Sequence, residues 1–154
     1  MYRKILIPLD HSKVDDTILN HIRPLARLCQ ATLVLVHVAD GYGARFQEQL
    51  NLEDSEEIRK DRLYLMARKE ELTKENFQVD AFLTRGDPAD EITAIAEKEN
   101  CDLIAMSTHG HRFLKDLLLG SVAENVRHRT QIPVLMIRSM MKEGTTRFTD
   151  LRTN

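Results

Sequence analysis

Residues 3–12 read Arg3-Lys4-Ile5-Leu6-Ile7-Pro8-Leu9-Asp10-His11-Ser12, and the architecture follows from how these ten positions are interpreted. Ile5, Leu6, Ile7 and Leu9 form a nearly continuous apolar run. A strand of this kind needs cover on both faces, as in a parallel sheet with helices above and below it. The run ends at a polar tip. Ser12, with Asp15 three positions later, has the spacing of a capping box, which satisfies open amides at a helix start. Val14, Ile18, Ile22, Leu25 and Cys29 then recur every three or four positions, as one helical face does. Pro24 sits inside that face and, lacking a backbone donor, is expected to kink or shorten the helix.

The same alternation continues along the chain. Residues 32–38 are β-branched and apolar and read as a second buried strand. Residues 39–53 form a connection with no firm period. The charged stretch 54–76 reads as a helix with Ile58, Leu65 and Leu72 on one stripe and Glu56–Lys60 and Glu70–Lys74 pairs at i,i+4. Residues 77–84 alternate in polarity, which predicts a half-exposed third strand. Asp87-Pro88 predicts a helix start with Asp as the cap and Pro in the first turn, followed by the apolar face of Ala89, Ile92, Ile95 and Ala96. Residues 102–106 read as a fourth strand. Ser121 with Glu124 repeats the capping-box spacing before another helix, and residues 132–137 read as a fifth strand.

Strands separated by helices pair in parallel through right-handed crossovers. The expected fold is therefore a three-layer α/β sandwich with a five-stranded parallel sheet, Rossmann-like. Placing the amphipathic third strand at an edge gives the order 3-2-1-4-5. Residues 1–138 form the expected domain, and residues 139–154, which lack a period, an expected mobile tail.

Composition narrows the function by exclusion. The chain has 154 residues, 42% hydrophobic and 30% charged, too apolar and too evenly charged for a disordered protein. Lys plus Arg number 22 against 24 Asp plus Glu, a net charge of -2, so the basic excess of a nucleic-acid binder is missing. The N-terminal apolar run is too short for a secretory signal, and the longest run, residues 31–39, falls far below the ~20 residues of a membrane span. A cytoplasmic protein with no membrane partner is expected. Cys29 and Cys101 lack metal-ligand or CxxC spacing and read as small, reduced, buried residues.

In open parallel sheets a ligand crevice forms beyond the carboxyl ends of the strands where the winding reverses. The order 3-2-1-4-5 puts the reversal between the first and fourth strands. Leu9-Asp10-His11-Ser12 follows the first, and Ser107-Thr108-His109-Gly110-His111-Arg112 follows the fourth. Ten residues after Gly110 come Gly120-Ser121 and a helix start. Glycines there admit a close phosphate, and first-turn amides point at an anion. The competing interpretation makes Gly110 a turn residue and Ser121 a plain helix cap. Arg112 offers a planar fork suited to phosphate oxygens, and His109 a further donor.

The run from Ser107 to Val126, with Ile5-Leu6-Ile7-Pro8-Leu9-Asp10-His11-Ser12 and Pro133-Val134-Leu135-Met136-Ile137-Arg138, resembles the universal stress protein family. The likeness covers about residues 2–138. The nucleotide-binding branch of that family holds ATP with a G-x2-G-x9-G-[ST] motif. Gly110 and Gly120-Ser121 fit its second half, while Ser107 replaces its first glycine. The resemblance implies ATP, or AMP or ADP, with Mg2+ as a possible companion. It also implies that Asp10 meets the adenosine moiety, Val38 borders the adenine, Met106 and Ser107 lie against the ribose, and Gly110, Gly120, Ser121 and Val122 surround the phosphates. It further implies a regulator of stress responses, acting on a client protein and non-catalytic or slowly hydrolytic.

No Ser–His–Asp arrangement or G-x4-G-K-[ST] loop is present, so a dedicated phosphotransferase lacks its parts. The enzyme alternative is a slow ATPase or adenylyl-transfer protein using His109 and Arg112. His37, inside a strand, reads as a satisfied core residue rather than a metal ligand. Val134 to Ile137 would be an apolar edge strand without internal charge, which predicts a homodimer formed through it.

Overall fold

The computed structural model describes residues 1–39, 56–108 and 120–138. The connection 40–53, His109, Gly110, His111, Arg112 and the tail 139–154 lie outside the described residues.

Five strands, β1 (Lys4–Pro8), β2 (Thr32–Ala39), β3 (Val79–Arg85), β4 (Leu103–Ser107) and β5 (Val134–Ile137), alternate with four described helices. The helices are α1 (Val14–Cys29), α2 (Glu56–Lys74), α3 (Pro88–Lys98) and α4 (Ser121–Arg129). The sheet order is β3-β2-β1-β4-β5, and every ladder is parallel, as the sequence predicts. Its two faces bury separate core layers. Ile5, Ile7, Leu33, Leu35, Leu103 and Ala105 pack under α1 and α2. Leu6, Val34, Val36, Ile104 and Met106 pack under α3 and α4. Successive strand residues point to opposite faces, so a strand buried on both sides must be apolar at nearly every position. That is why β1, β2 and β4 have continuous rather than alternating apolar sequences.

The α2 stripe is as expected, with Ile58, Leu65 and Leu72 buried and Lys60–Glu56 and Lys74–Glu70 paired at 3.1 and 2.7 Å. Asp87 caps α3, accepting from the Asp90 amide at 3.1 Å. Two expectations need correction. Of the two effects expected of Pro24, shortening does not occur: α1 runs on to Cys29. Pro24 and Asn20 are both exposed, so the Asn20 carbonyl left without its helical donor meets water. Ser12 is not the cap of α1 either. Lys13 holds that place without a side-chain cap bond, while the Ser12 hydroxyl, which donates to Asp10 at 2.5 Å, accepts from the Val14 amide at 3.2 Å and so still serves one open amide of the first turn.

Candidate functional site

The reversal lies between β1 and β4. These strands pair only at Ile5↔Leu103 and Leu6↔Ile104. β1 stays with β2 as far as Pro8, and β4 stays with β5 as far as Ser107. Beyond Leu6 and Ile104 each central strand follows its outer neighbour, and a crevice opens at their carboxyl ends.

Helix α4 closes one side of this crevice. Its cap is Gly120 in an extended conformation (φ -67°, ψ 144°), with no side-chain cap bond. The Gly120 amide donates to the Thr108 carbonyl, and the Thr108 amide donates to Ile137 at 3.0 Å. The helix start is thus pinned to the end of β4. Ser121, expected to cap the helix, is instead its first residue and is exposed. The Gly120 carbonyl already accepts from the Glu124 amide at 3.0 Å, so the helix begins one position before the serine spacing indicates. With the Gly120 amide committed to Thr108, the first-turn donors lacking an acceptor within the helix are those of Ser121, Val122 and Ala123.

Val38, Met106 and Val122 belong to one apolar cluster in the α3–α4 layer, and Ser107 ends β4, half-buried. Asp10 follows β1, half-buried, and its Oδ1 accepts the Ser12 hydroxyl at 2.5 Å. The structure therefore brings Asp10, Val38, Met106, Ser107, Gly120, Ser121 and Val122 to the carboxyl end of the sheet. Gly110 and Arg112 lie outside the described residues.

The opposite face carries a polar cluster absent from the sequence-based expectations. Asp15 is 1% exposed. Its carboxylate accepts from the Asp10 amide at 3.1 Å, the His11 amide at 3.0 Å and the Tyr64 hydroxyl at 2.7 Å. Burial pushes the Asp15 carboxyl up to about 6, against the opposing pull of the Tyr64 hydroxyl and the Asp10 amide. Burial, together with the Asp15 carboxylate, raises the Tyr64 phenol. Arg68 donates to the Tyr64 oxygen at 3.2 Å and pairs with Asp16 at 2.7 Å. His11 adopts a left-handed conformation (φ 61°) and stacks on Tyr64 at 4.0 Å between centroids. Asp61 bridges two histidines, lying 3.0 Å from His11 Nδ1 and 3.2 Å from His37 Nε2. His37 is buried, and its Nδ1 meets the Leu9 carbonyl at 2.8 Å, the satisfied core role expected of it. One sequence signal pointed to the cluster: Asp61, Tyr64 and Arg68 recur at i, i+3 and i+7, a polar stripe beside the apolar one.

An open parallel sheet whose central strands part beside a pinned helix start defines a Rossmann-like α/β protein with its crevice at the strand-order reversal. Comparison with known sequences makes the assignment specific. The chain belongs to the universal stress protein family, whose profile matches residues 1–138. Universal stress protein MJ0577 of Methanocaldococcus jannaschii is 34% identical, over 90% of this chain and 96% of its own length. The solved structure of MJ0577 superposes with a TM-score of 0.81, covering 91% of this chain and 98% of that one. Universal stress protein YxiE of Bacillus subtilis is 27% identical over 90% of this chain and 100% of its own length. The Archaeoglobus fulgidus universal stress protein solved in complex with dAMP shares the fold at a TM-score of 0.64 and 22% identity, covering 88% of this chain and 97% of that one. No described helix is long and apolar enough to cross a membrane.

Proposed function

We propose that this protein binds an adenine nucleotide, ATP in the first instance, in the crevice between β1 and β4, and acts as a cytoplasmic regulator of stress responses rather than as a dedicated catalyst. The observation that carries the proposal is the parting of β1 and β4 after Leu6↔Ile104 beside a helix start tied to Thr108. That arrangement offers first-turn amides to an anion and an apolar wall to a base. In this reading Val38 and Met106 flank the adenine and ribose, with Ser107 at the ribose edge. Asp10, oriented by Ser12, accepts from the sugar. Gly110, Gly120, Ser121, Val122 and Arg112 receive the phosphates, with Mg2+ as a charge-neutralising companion of a triphosphate. The dAMP-bound neighbour shares the fold alone at its identity, so the reading rests on the residues of this chain. The partners in the proposal are a second copy of the chain, paired through β5, and a client protein that reads the loaded state.

The test is direct. Freshly purified protein, denatured and chromatographed, is expected to release an adenine nucleotide. In titrations with ATP, the double variant Gly110→Val, Gly120→Val is expected to bind at least about tenfold more weakly, a difference of about 1.4 kcal/mol. The extended conformation of Gly120 is one that valine adopts, so the single variant Gly120→Val, expected to weaken binding in the same direction, reports a filled phosphate cradle rather than strain. Equal affinities in the two proteins would refute the site.

A further inference from the structure

His11 stands in the left-handed region (φ 61°), which a residue with a Cβ keeps only where its surroundings hold it. The holders come from two helices. From α1, the buried Asp15 carboxylate accepts the Asp10 amide on Oδ1 at 3.1 Å and the His11 amide on Oδ2 at 3.0 Å. From α2, Tyr64 lays its ring on the His11 ring, 4.0 Å between centroids and 20° from parallel. The Tyr64 hydroxyl then donates to the same Asp15 Oδ2 at 2.7 Å. One tyrosine thus touches the strained residue directly and also braces the carboxylate that fixes its amide.

The direction of that hydroxyl is set. Arg68 Nε donates to the Tyr64 oxygen at 3.2 Å, and a guanidinium only donates, so the phenolic hydrogen is left to point at Asp15. Arg68 is itself held, by Asp16 at 2.7 Å and by Glu71 at 3.0 Å. A chain of hydrogen bonds therefore runs from the middle of α2 through Arg68, Tyr64 and Asp15 to the two tip amides. Asp10 is mounted between fixed neighbours. On one side the Leu9 amide donates to the Val36 carbonyl at 2.8 Å, and on the other stands the braced His11.

Docking of α2 does not require the hydroxyl. Ile58, Leu65 and Leu72 bury that helix, and Arg23 and Arg27 of α1 join it through Glu71 and Glu75. What the hydroxyl adds is orientation at the tip. A group held in its bound geometry before the ligand arrives loses less freedom on binding. We propose that Tyr64 is a positioning residue for the nucleotide, holding the Asp10 carboxylate, through Asp15 and His11, where a ribose hydroxyl donates to it. A residue of α2 then sets how strongly the crevice distinguishes a full ribose from a sugar without hydroxyls. The proposal rests on the nucleotide reading given above.

The experiment compares ATP with dideoxy-ATP, which lacks both ribose hydroxyls. Titrations are made at a pH well above the Asp15 value of about 6, so that the carboxylate is the accepting species. Tyr64→Phe keeps the ring on His11 and removes only the hydroxyl. It is expected to bind ATP at least about fivefold more weakly than the wild type, the lower end of ordinary coupling between sites, and dideoxy-ATP with unchanged affinity. In an Asp10→Ala background the same substitution is expected to cost nothing further, because changes that act through one contact do not add. Asp15→Asn, which exchanges one accepting oxygen for a donor, is expected to show the same selective loss. A merely structural role for Tyr64 weakens both ligands alike and persists without Asp10. That result overturns the proposal, as does an unchanged ATP affinity in Tyr64→Phe. Amide exchange keeps the two readings apart. In Tyr64→Phe the Asp10 and His11 amides are expected to exchange faster, while those of Ile5, Leu6 and Ile7 in β1 hold their wild-type rates. If the wild type binds neither nucleotide, the nucleotide reading fails, and faster tip exchange still bears out the brace. Tip amides at wild-type rates overturn the brace whatever the affinities.

Discussion

Asp15 is the residue on which the tip depends. It sits in the first turn of α1, yet its carboxylate reaches back to the amides of Asp10 and His11 and stabilises the left-handed turn at His11. Histidine is among the residues that tolerate this conformation, and the two amides and the Tyr64 stack hold it there. The arrangement has a pH signature. Burial raises the Asp15 carboxyl from 3.8 to about 6, so the folded state binds its proton more tightly than the unfolded chain does. The resulting stabilisation is fully present below the unfolded value and is lost as pH rises through about 6. The shift corresponds to something on the order of 2–3 kcal/mol. Asp15→Asn has no such titration, so its unfolding free energy is expected to fall less than that of the wild type between about pH 4 and pH 7. Urea unfolding at a series of pH values measures this, and parallel curves for the two proteins would contradict it.

Among the elements, the helix ends show how much of this fold was legible. Gln30, Asn76 and Asn100 all take left-handed backbone conformations, with φ of 53°, 67° and 53°, just after α1, α2 and α3. Asparagine enters that region readily and glutamine does not. Gln30→Gly is therefore expected to stabilise the protein by about 0.5–1 kcal/mol, since glycine has no Cβ to strain there. A rise in the thermal midpoint checks this, and a fall would mean that the Gln30 side chain contributes more than its backbone strain costs. Strands and helices could be located in advance because apolar spacing reports which face is buried, and the strand order followed from the amphipathic character of β3. The starts of α1 and α4 were each placed one position off, whereas Asp87 caps α3 as read. Serine three residues before an acid matches a capping box, but Ser12 stands one place ahead of the Lys13 cap, its hydroxyl shared between Asp10 and the Val14 amide, and Gly120 began α4 before Ser121. Val38, Met106 and Val122 were named only through the family resemblance, while the meeting of the ends of β1 and β4 with the start of α4 at the reversal was legible through topology. The His11–Asp61–His37 bridge was not, because Asp61 lies 50 positions from His11 and only folding reveals that the two meet.

For the molecule as a whole, the open question is what covers β5. Val134, Leu135 and Met136 are half-buried in the single chain, and among the described residues this end strand pairs on one side only, with β4. The ladder fixes which backbone groups remain for a partner. Ile104 donates to the Pro133 carbonyl at 3.0 Å and Thr108 to the Ile137 carbonyl at 3.0 Å. Odd-numbered positions of β5 therefore face β4, and the amides of Val134 and Met136 face outward. The proposed dimer, formed when a second copy adds its own β5, depends on those outward groups and on the apolar side chains beside them. Met136→Pro removes one outward donor, and the fixed φ of proline is tolerated at a sheet edge whose N–H faces away from the ladder. This variant is expected to remain folded and to sediment as a monomer at concentrations where the wild type is dimeric. Leu135→Pro removes a donor aimed at β4 and is expected to destabilise the fold itself, by ~3 kcal/mol or more. A Met136→Pro protein that stays dimeric would place the contact on another surface. A wild type that is monomeric at every concentration would leave β5 an exposed edge and remove the dimer from the proposal.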